Sequence, residues 1–154
     1  MPRIMVTPLS LVDETVRAHA PSHLLTLLGP DYMIEHHGAF APPRHLRIQV
    51  NDIAAPIAGQ TEPSAGHAAR VLAFVDDWDR SAPMLIHCWA GISRSTASMF
   101  MALCKLNPER DETDILARMR RLAPHIAPNR LLTAHADDLL GRGGRMVDAL
   151  DAVG

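Results

Sequence analysis

Residues 85–96 read LIHCWAGISRST, and this stretch carries the strongest structural signal in the sequence. It passes from an apolar strand, predicted over residues 83–87, through a loop of small residues into a helix predicted over residues 94–106. Backbone N–H groups of such a loop can converge and form an anion-binding nest, and the following helix adds its positive N-terminal end. The stretch therefore predicts an anion site where a strand meets a helix.

Two side chains in this stretch carry chemistry. Arg94 follows Cys88 by six residues and can close over a bound phosphate with its planar fork. A helix N-terminus and a nearby cation stabilise a thiolate, and a thiolate beneath a phosphoryl group can attack phosphorus. The expected intermediate is a cysteinyl-phosphate that water then hydrolyses. Gly91 gives the loop conformations that other residues resist, and Ser95 could donate a hydrogen bond to the sulfur.

The spacing of cysteine and arginine is weak evidence by itself. Cys104 is also followed by an arginine, Arg110, but that copy lacks a glycine and a preceding strand, and it places Glu109 where phosphate would bind. We interpret Cys104 as a small buried apolar residue. A disulfide with Cys88 is not expected, because the intervening helix alone spans roughly 15 Å and a bridge requires Cα atoms within about 7 Å.

The pattern His87-Cys88-x-Ala90-Gly91-x-Ser93-Arg94-Ser95 resembles the signature loop of the dual-specificity branch of the cysteine-dependent protein-tyrosine phosphatases. The resemblance implies that Cys88 is the nucleophile and that Arg94 binds phosphate. It also implies that His87 tunes the thiolate through hydrogen bonds and that Ser95 assists breakdown of the intermediate. The residues expected to bind the phosphate are Trp89, Ala90, Gly91, Ile92, Ser93 and Arg94.

The same family uses an aspartic acid from a loop upstream of the cysteine as its general acid. Asp52 ends the predicted third strand and opens a loop rich in Pro and Gly, so its position matches the pattern of strand, Asp, loop and helix. The alternative acids are Asp31, Glu35 and Glu62. Pro128-Asn129 resembles the Pro-Asn stretch that this branch carries after its cysteine, and Asn129 is expected to have a supporting role.

Short strands alternate with helices along the rest of the chain. This order predicts a single α/β domain over residues 1–154, with a mostly parallel central sheet of about four or five strands flanked by helices. The further predicted strands cover residues 3–6, 23–28 and 45–50. The further predicted helices cover residues 11–20 with Ser10 as N-cap, 65–80, 112–122, 128–140 and 146–153.

Composition limits the classes of partner. The chain has 154 residues, 47% of them hydrophobic and 21% charged, and a net charge of -2, which is an ordinary balance for a globular domain. No basic block or aromatic-interleaved stripe indicates a nucleic-acid partner, and no apolar run indicates a membrane span. Two cysteines and no recognisable signal peptide favour a reducing compartment, and the expected location is cytoplasmic.

The expected partner is a phosphorylated protein or a small phosphoester, with no cofactor. No metal site is expected, since His36 and His37 have no third ligand at recognisable spacing. Arsenate reduction is disfavoured because that related fold carries its cysteine loop near the N-terminus. Sulfur transfer, a catalytically inactive phospho-ligand binder and a lipid phosphatase remain alternatives, although the loop lacks the lysine of phosphoinositide-directed relatives. Phosphotyrosine, phosphoserine or phosphothreonine, a phosphorylated metabolite and a polyphosphate all remain open as substrates.

Overall fold

The structure, a computed structural model, describes residues 3–153. At its centre lies a four-stranded sheet in which neighbouring strands run parallel, in the order β1–β4–β2–β3. The strands are β1 (Ile4–Pro8), β2 (His23–Leu28), β3 (His45–Gln49) and β4 (Met84–Cys88). Helices cover both faces of this sheet, which confirms the predicted fold class.

The two faces of the sheet are covered unequally. Alternate strand residues such as Leu25, Ile48 and Ile86 belong to the main core, which they share with the helices α2 (Ala65–Asp77), α3 (Arg94–Leu106) and α5 (Arg130–Leu140). The other face carries Leu24 and Leu85, which pack beneath α1 (Val12–His19) and Phe40 in a smaller cluster. Apolar residues therefore line both faces, as expected for a parallel sheet covered on both sides.

Two further helices, α4 (Glu112–Leu122) and α6 (Arg145–Val153), are joined to the rest by buried polar contacts. The Glu112 carboxylate lies 2.6 Å from a guanidinium nitrogen of Arg142 and 3.1 Å from Nε of Arg145. The two carboxylate oxygens of Asp137 accept hydrogen bonds of 2.7 Å from the backbone N–H groups of Gly144 and Met146. These contacts join α4, α5 and α6 to one another.

The carboxyl ends of the parallel strands lie at one edge of the sheet. Cys88 ends the inner strand β4 and pairs with Pro8 of β1, while the neighbouring inner strand β2 ends at Leu28. Segments that follow strands at this edge form the usual ligand crevice of an open α/β sheet. The fold therefore brings the cysteine loop together with the loop that follows β3.

Several predicted boundaries differ from the observed ones. The first strand reaches Pro8 rather than Val6, because the pairing of Thr7 and Pro8 with β4 extends it; a proline is tolerated there on an edge strand. The last strand covers Met84–Cys88, one residue later than predicted. Ser10 is not an N-cap: it lies in a 3₁₀ turn, and the cap residue Leu11 makes no side-chain hydrogen bond.

The helix predicted over residues 65–80 ends earlier, at Asp77. Trp78 adopts an extended conformation, and its buried indole N–H donates a 2.9 Å hydrogen bond to the carbonyl of Ala82, which turns the chain out of the helix. The helix predicted from residue 128 begins at Arg130, with Asn129 as its N-cap. Within residues 3–153, no helix has the length and apolar character that crossing a bilayer requires.

Candidate active site

Cys88 lies buried at the end of β4, where the strand enters the loop. Its Sγ is 3.1 Å from Oγ of Ser95 in the first turn of α3. Burial by itself would raise the pKa of the Cys88 thiol. Hydrogen bonds from the Ser95 hydroxyl and from the backbone N–H groups of Ser95 and Gly91, together with the charge of Arg94, outweigh burial and lower this pKa. The site therefore favours the thiolate, which is the nucleophilic form.

Gly91 allows the loop to turn back on itself. Its φ is +72°, and a Cβ there would lie 2.9 Å from the backbone nitrogen of Pro8 and 2.9 Å from the carbonyl carbon of Thr7. Any side chain would therefore collide with the main chain of β1. Only glycine combines this backbone conformation with so close an approach, and the tight turn directs its N–H towards the sulfur.

Arg94 is the first residue of α3 and is only 9% exposed. One guanidinium nitrogen donates a 2.9 Å hydrogen bond to the carbonyl of Val50, which anchors the side chain beneath the loop that follows β3. Its Nε is buried and has no hydrogen-bond partner among the described residues. A buried donor without a partner is costly, and a ligand atom that accepts from it would remove that cost.

Asp52 lies at the same site, on the loop that follows β3. Its Oδ1 accepts a 2.7 Å hydrogen bond from the Ser93 hydroxyl and a 3.0 Å hydrogen bond from the amide of Asn129. Asn129 also donates to the carbonyl of Ile53 and accepts from the N–H of Leu132, so it caps α5 and holds the Asp52 loop with one side chain. The carboxylate therefore faces the cysteine loop.

These residues surround an open cavity of about 580 Å³. Cys88, Arg94 and Asp52 line it, as do four of the predicted phosphate-binding residues: Trp89, Ala90, Ile92 and Ser93. Gly91 is buried behind the loop and does not line the cavity, and neither do the alternative acids Asp31, Glu35 and Glu62. The structure thus brings together the predicted nucleophile, phosphate clamp and acid, while their catalytic roles remain predictions.

His87 lies on the opposite face of β4 from Cys88 and is fully buried. Its Nε2 is 2.7 Å from Oγ1 of Thr26, and its Nδ1 is 3.1 Å from the carbonyl oxygen of Cys88. Burial lowers the pKa of His87 to about 4, and the charge of Arg94 contributes to this. The imidazole is therefore neutral near pH 7, and it touches the backbone of the cysteine rather than its sulfur.

Comparison with known proteins gives the fold. No family model and no curated protein sequence matches the chain. Among solved structures, the human tyrosine phosphatase-like serine/threonine/tyrosine-interacting protein is similar at a TM-score of 0.70 and 16% identity, covering 91% of this chain and 92% of that one. DUSP15 is similar at a TM-score of 0.68 and 17% identity, covering 99% of this chain and 92% of that one. PTPMT1 in complex with PI(5)P is similar at a TM-score of 0.65 and 12% identity, covering 92% of this chain and 94% of that one.

The chain has the fold of the dual-specificity phosphatases. The predicted resemblance is thereby confirmed at the level of the fold, over nearly the whole chain. The identities to the similar structures are only 12–20%, so the likeness is one of fold.

Sequence reasoning missed several residues that line the cavity. Leu28, Gly29, Tyr32 and Asn51 all border it, and each follows or ends a strand at the carboxyl edge of the sheet. The exposed ring of Tyr32 meets that of Trp89 edge to face, with 5.4 Å between centroids, so the two form an aromatic wall beside the cysteine loop. The strand-end rule could have indicated this segment, but no motif marks Tyr32 itself.

Metal-ligating side chains do not cluster in the part of the chain that the structure describes. No group of three or more His, Cys, Asp or Glu residues within 3–153 is placed to hold an ion. Nε2 of His37 lies 2.9 Å from Oδ1 of Asp13, and the ring of His36 packs against that of His45. Cys104 is buried in the main core, where burial raises the pKa of its thiol to about 12, and both cysteines are free.

Proposed function

We propose that the protein is a phosphoric monoester hydrolase of the dual-specificity type that acts through a cysteinyl-phosphate intermediate. One observation carries the proposal: the same cavity is bordered by a cysteine with a lowered thiol pKa and by an arginine whose buried Nε has no hydrogen-bond partner among the described residues. A thiolate supplies a nucleophile, and the arginine supplies donors for the oxygens of the transferring phosphoryl group. The fold shared with phosphatases supports phosphoester hydrolysis in general.

In the first step, the Cys88 thiolate attacks phosphorus and the ester P–O bond breaks. The backbone N–H groups of the loop and the Arg94 guanidinium donate to the equatorial oxygens and stabilise the negative charge on them. The electron pair of the broken bond stays on the departing alkoxide or phenoxide. Asp52, protonated at this stage, gives its proton to that oxygen, and the free alcohol or phenol departs.

In the second step, water hydrolyses the cysteinyl-phosphate. The Asp52 carboxylate takes a proton from the attacking water, the S–P bond breaks, and inorganic phosphate is released. The electron pair returns to sulfur as a thiolate. The Ser95 hydroxyl, 3.1 Å from Sγ, donates a hydrogen bond to that developing negative charge and makes sulfur a better leaving group.

The aromatic wall favours aryl phosphates as substrates. Tyr32 and Trp89 are 63% and 55% exposed beside the cysteine loop, and their rings could pack against the ring of a phosphotyrosine side chain. A lipid substrate is the second candidate, because the similar structure of PTPMT1 holds PI(5)P. A phosphotyrosine peptide, a phosphoserine peptide and a phosphoinositide, each assayed for release of phosphate, would rank these classes.

The experiment that tests the proposal is turnover of a small aryl phosphate by the wild type and by Cys88→Ser. We expect the wild type to release phosphate with EDTA present, and we expect Cys88→Ser to lose activity while it still binds the ligand, because serine has no accessible anion near neutral pH. Cys104→Ser is the matched control, since Cys104 lies in the core away from the cavity.

Two other results would give different conclusions. Activity that survives Cys88→Ser, or that disappears with EDTA, would mean that this thiolate does not perform the chemistry. A wild type that binds vanadate or phosphate but never turns over an ester would indicate a phospho-ligand binder.

A further inference from the structure

A chain of buried hydrogen bonds leads to the cysteine from the far side of the sheet. The backbone N–H of His37 donates a 2.9 Å hydrogen bond to Nδ1 of His45. Nε2 of His45 lies 2.8 Å from Oγ1 of Thr26, and the same oxygen lies 2.7 Å from Nε2 of His87. Nδ1 of His87 in turn lies 3.1 Å from the carbonyl oxygen of Cys88. Three strands and the loop before β3 are thus connected in series.

The two ends of this chain fix the direction of every hydrogen bond in it. A backbone N–H can only donate, so Nδ1 of His45 accepts and its proton lies on Nε2, from which it is donated to Thr26. The Thr26 hydroxyl has a single proton, which it donates to Nε2 of His87. The proton of His87 therefore lies on Nδ1, where it is donated to Cys88. A carbonyl can only accept, so the other end requires the same direction.

Both rings are neutral near pH 7, so each carries a single N–H proton. Burial lowers the pKa of His45 to about 4, with smaller contributions from His36, His87 and Arg47. Burial lowers the pKa of His87 to about 4 as well. The ionisable groups around the two rings also include His37 and Arg94, and His37 is itself held by Asp13 of α1.

The last hydrogen bond has a consequence for the nucleophile. A peptide unit is planar and trans, so its C=O and the following N–H point in opposite directions. When Nδ1–H of His87 holds the carbonyl oxygen of Cys88, the N–H of Trp89 must point away from His87. The Cys88–Trp89 peptide is the first unit of the cysteine loop, so its orientation sets where the anion-binding N–H groups begin.

We propose that His45 is a positioning residue: acting through Thr26, it fixes the Nδ1–H tautomer of His87 and thereby the orientation of the Cys88–Trp89 peptide. The inference rests on the proposed function only in taking Cys88 as the nucleophile. Its physical basis is that a buried network with every donor and acceptor satisfied has a single low-energy arrangement of protons. His45 belongs to β3, so the network couples the sheet edge to the cysteine.

The first test reads the tautomers directly in the wild type. Nitrogen-15 NMR of the imidazoles should show His87 protonated on Nδ1 and His45 protonated on Nε2 near pH 7, and neither ring should titrate between about pH 8 and about pH 5.5. His87 protonated on Nε2, or a charged His45, would overturn the proposal. This measurement needs no substrate and holds even if the protein turns nothing over.

The second test breaks the series at one ring and at the hydroxyl. His45→Phe keeps a ring without a donor, whereas His45→Gln retains an N–H donor for Thr26; Thr26→Val removes the hydroxyl, whereas Thr26→Ser retains it. With Phe or Val, alkylation of Cys88 by iodoacetamide near pH 7 should slow by about three- to tenfold, the worth of one hydrogen bond. Gln and Ser should recover most of that loss.

Combining the two substitutions separates positioning from simple packing. If His45 acts only through Thr26, then His45→Phe placed in the Thr26→Val background should slow the alkylation of Cys88 no further. Two outcomes would show that His45 is only a packing residue. In the first, the rate losses from the two substitutions multiply. In the second, the His45→Phe protein folds, and both the reactivity of Cys88 and the tautomer of His87 are unchanged. Phosphate release, measured in parallel, reports separately on the proposed function.

Discussion

The Arg94 guanidinium has one nitrogen bound to the protein and one buried nitrogen without a partner among the described residues. The bound nitrogen donates to the carbonyl of Val50, which fixes the side chain, and the buried one is Nε. The first contact restricts the rotamers of the arginine before any ligand arrives. The second leaves a donor that only a ligand or solvent can satisfy. In the proposed function, an oxyanion that accepts from this Nε would remove the cost of the unmet donor.

Arg94→Lys tests this reading at the level of one residue. Lysine keeps the charge but cannot reach both Val50 and a phosphate oxygen with a planar fork. We expect kcat for an aryl phosphate to fall by about 10- to 100-fold, since each charge-assisted hydrogen bond is worth about 1.5–3 kcal/mol. Arg110→Lys is the matched control, because Arg110 is the exposed arginine of the second cysteine–arginine copy and should leave kcat unchanged. If kcat is unchanged in Arg94→Lys, then Arg94 attracts the phosphate of the bound substrate but does not stabilise the transition state.

Asp52→Asn tests the general acid through the leaving group. A good leaving group needs little protonation, whereas an alkyl alcohol needs much, so the substitution should slow alkyl phosphates by roughly 10²–10⁴-fold and activated aryl phosphates far less. Single-turnover rates across a series of leaving groups are the measurement. Asp31→Asn, at an exposed position outside the cavity, should follow the wild type. An equal slowing of all substrates by Asp52→Asn would place the acid elsewhere.

At the scale of elements, the cysteine loop is held from behind by backbone contacts. The carbonyls of Ile92 and Ser93 accept hydrogen bonds from the N–H groups of Ala127 and Asn129, and the carbonyl of Trp89 accepts one from Leu9. The segment before α5 and the turn after β1 therefore form a frame around the loop. Main-chain contacts of this kind restrict the loop before any ligand binds, which is the preorganisation that the proposed site requires.

Gly91→Ala should disrupt this frame more than a positive φ alone would. The new Cβ would lie 2.9 Å from main-chain atoms of β1, which cannot move without displacing the strand. Gly141→Ala is the control, since Gly141 has a φ of +66° but no neighbour within 4 Å of its Cβ position. In urea unfolding we expect Gly91→Ala to cost about 1–3 kcal/mol more than Gly141→Ala. Equal costs would mean that the loop lies further from β1.

At the scale of the whole molecule, buried histidines make the fold sensitive to acid. The pKa of His45 and of His87 is about 4 in the folded protein, mainly because both are buried, against about 6.5 in an unfolded chain. Burial also lowers the pKa of His23 and that of His67. Above about pH 6.5 neither state binds these protons, and below it the unfolded state binds more of them.

Stability should therefore be complete above about pH 6.5 and should fall as the pH decreases from about 6.5 towards 4, with each of the two histidines approaching a slope of about 1.4 kcal/mol per pH unit. Urea unfolding near pH 7.5 and near pH 5 measures this. His45→Gln should remove the contribution of one histidine to this slope, about 1.4 kcal/mol per pH unit. His125→Gln, at an exposed position, is the control and should not remove it. A stability that does not change between these pH values would contradict burial of neutral His45 and His87.

The sequence alone was enough for the cysteine loop and the class of fold. The stretch from Leu85 to Thr96 predicts a strand, a nest and a helix, because apolar β-prone residues, small residues and a helical run follow each other within twelve positions. Each of these signals is local, so it can be read without knowing what the chain folds against. The parallel sheet followed from the alternation of short strands and helices.

Only the tertiary structure shows that Asp52 lies beside Ser93 and that Tyr32 lines the cavity. It also shows that Asn129 both caps α5 and donates hydrogen bonds to the Asp52 loop. These pairs are separated by tens of residues, and the parallel register of the strands, not any local pattern, decides which strand ends meet. Sequence patterns failed in the same way for Ser10, where the chain leaves β1 in a 3₁₀ turn bonded to the cysteine loop. Thr26, His45 and His87 lie on three different strands, and their hydrogen bonds exist because the sheet pairs β2 with β3 on one side and with β4 on the other. The local sequence determined which cysteine is the proposed nucleophile, and the long-range pairing of strands determined which distant residues lie around it.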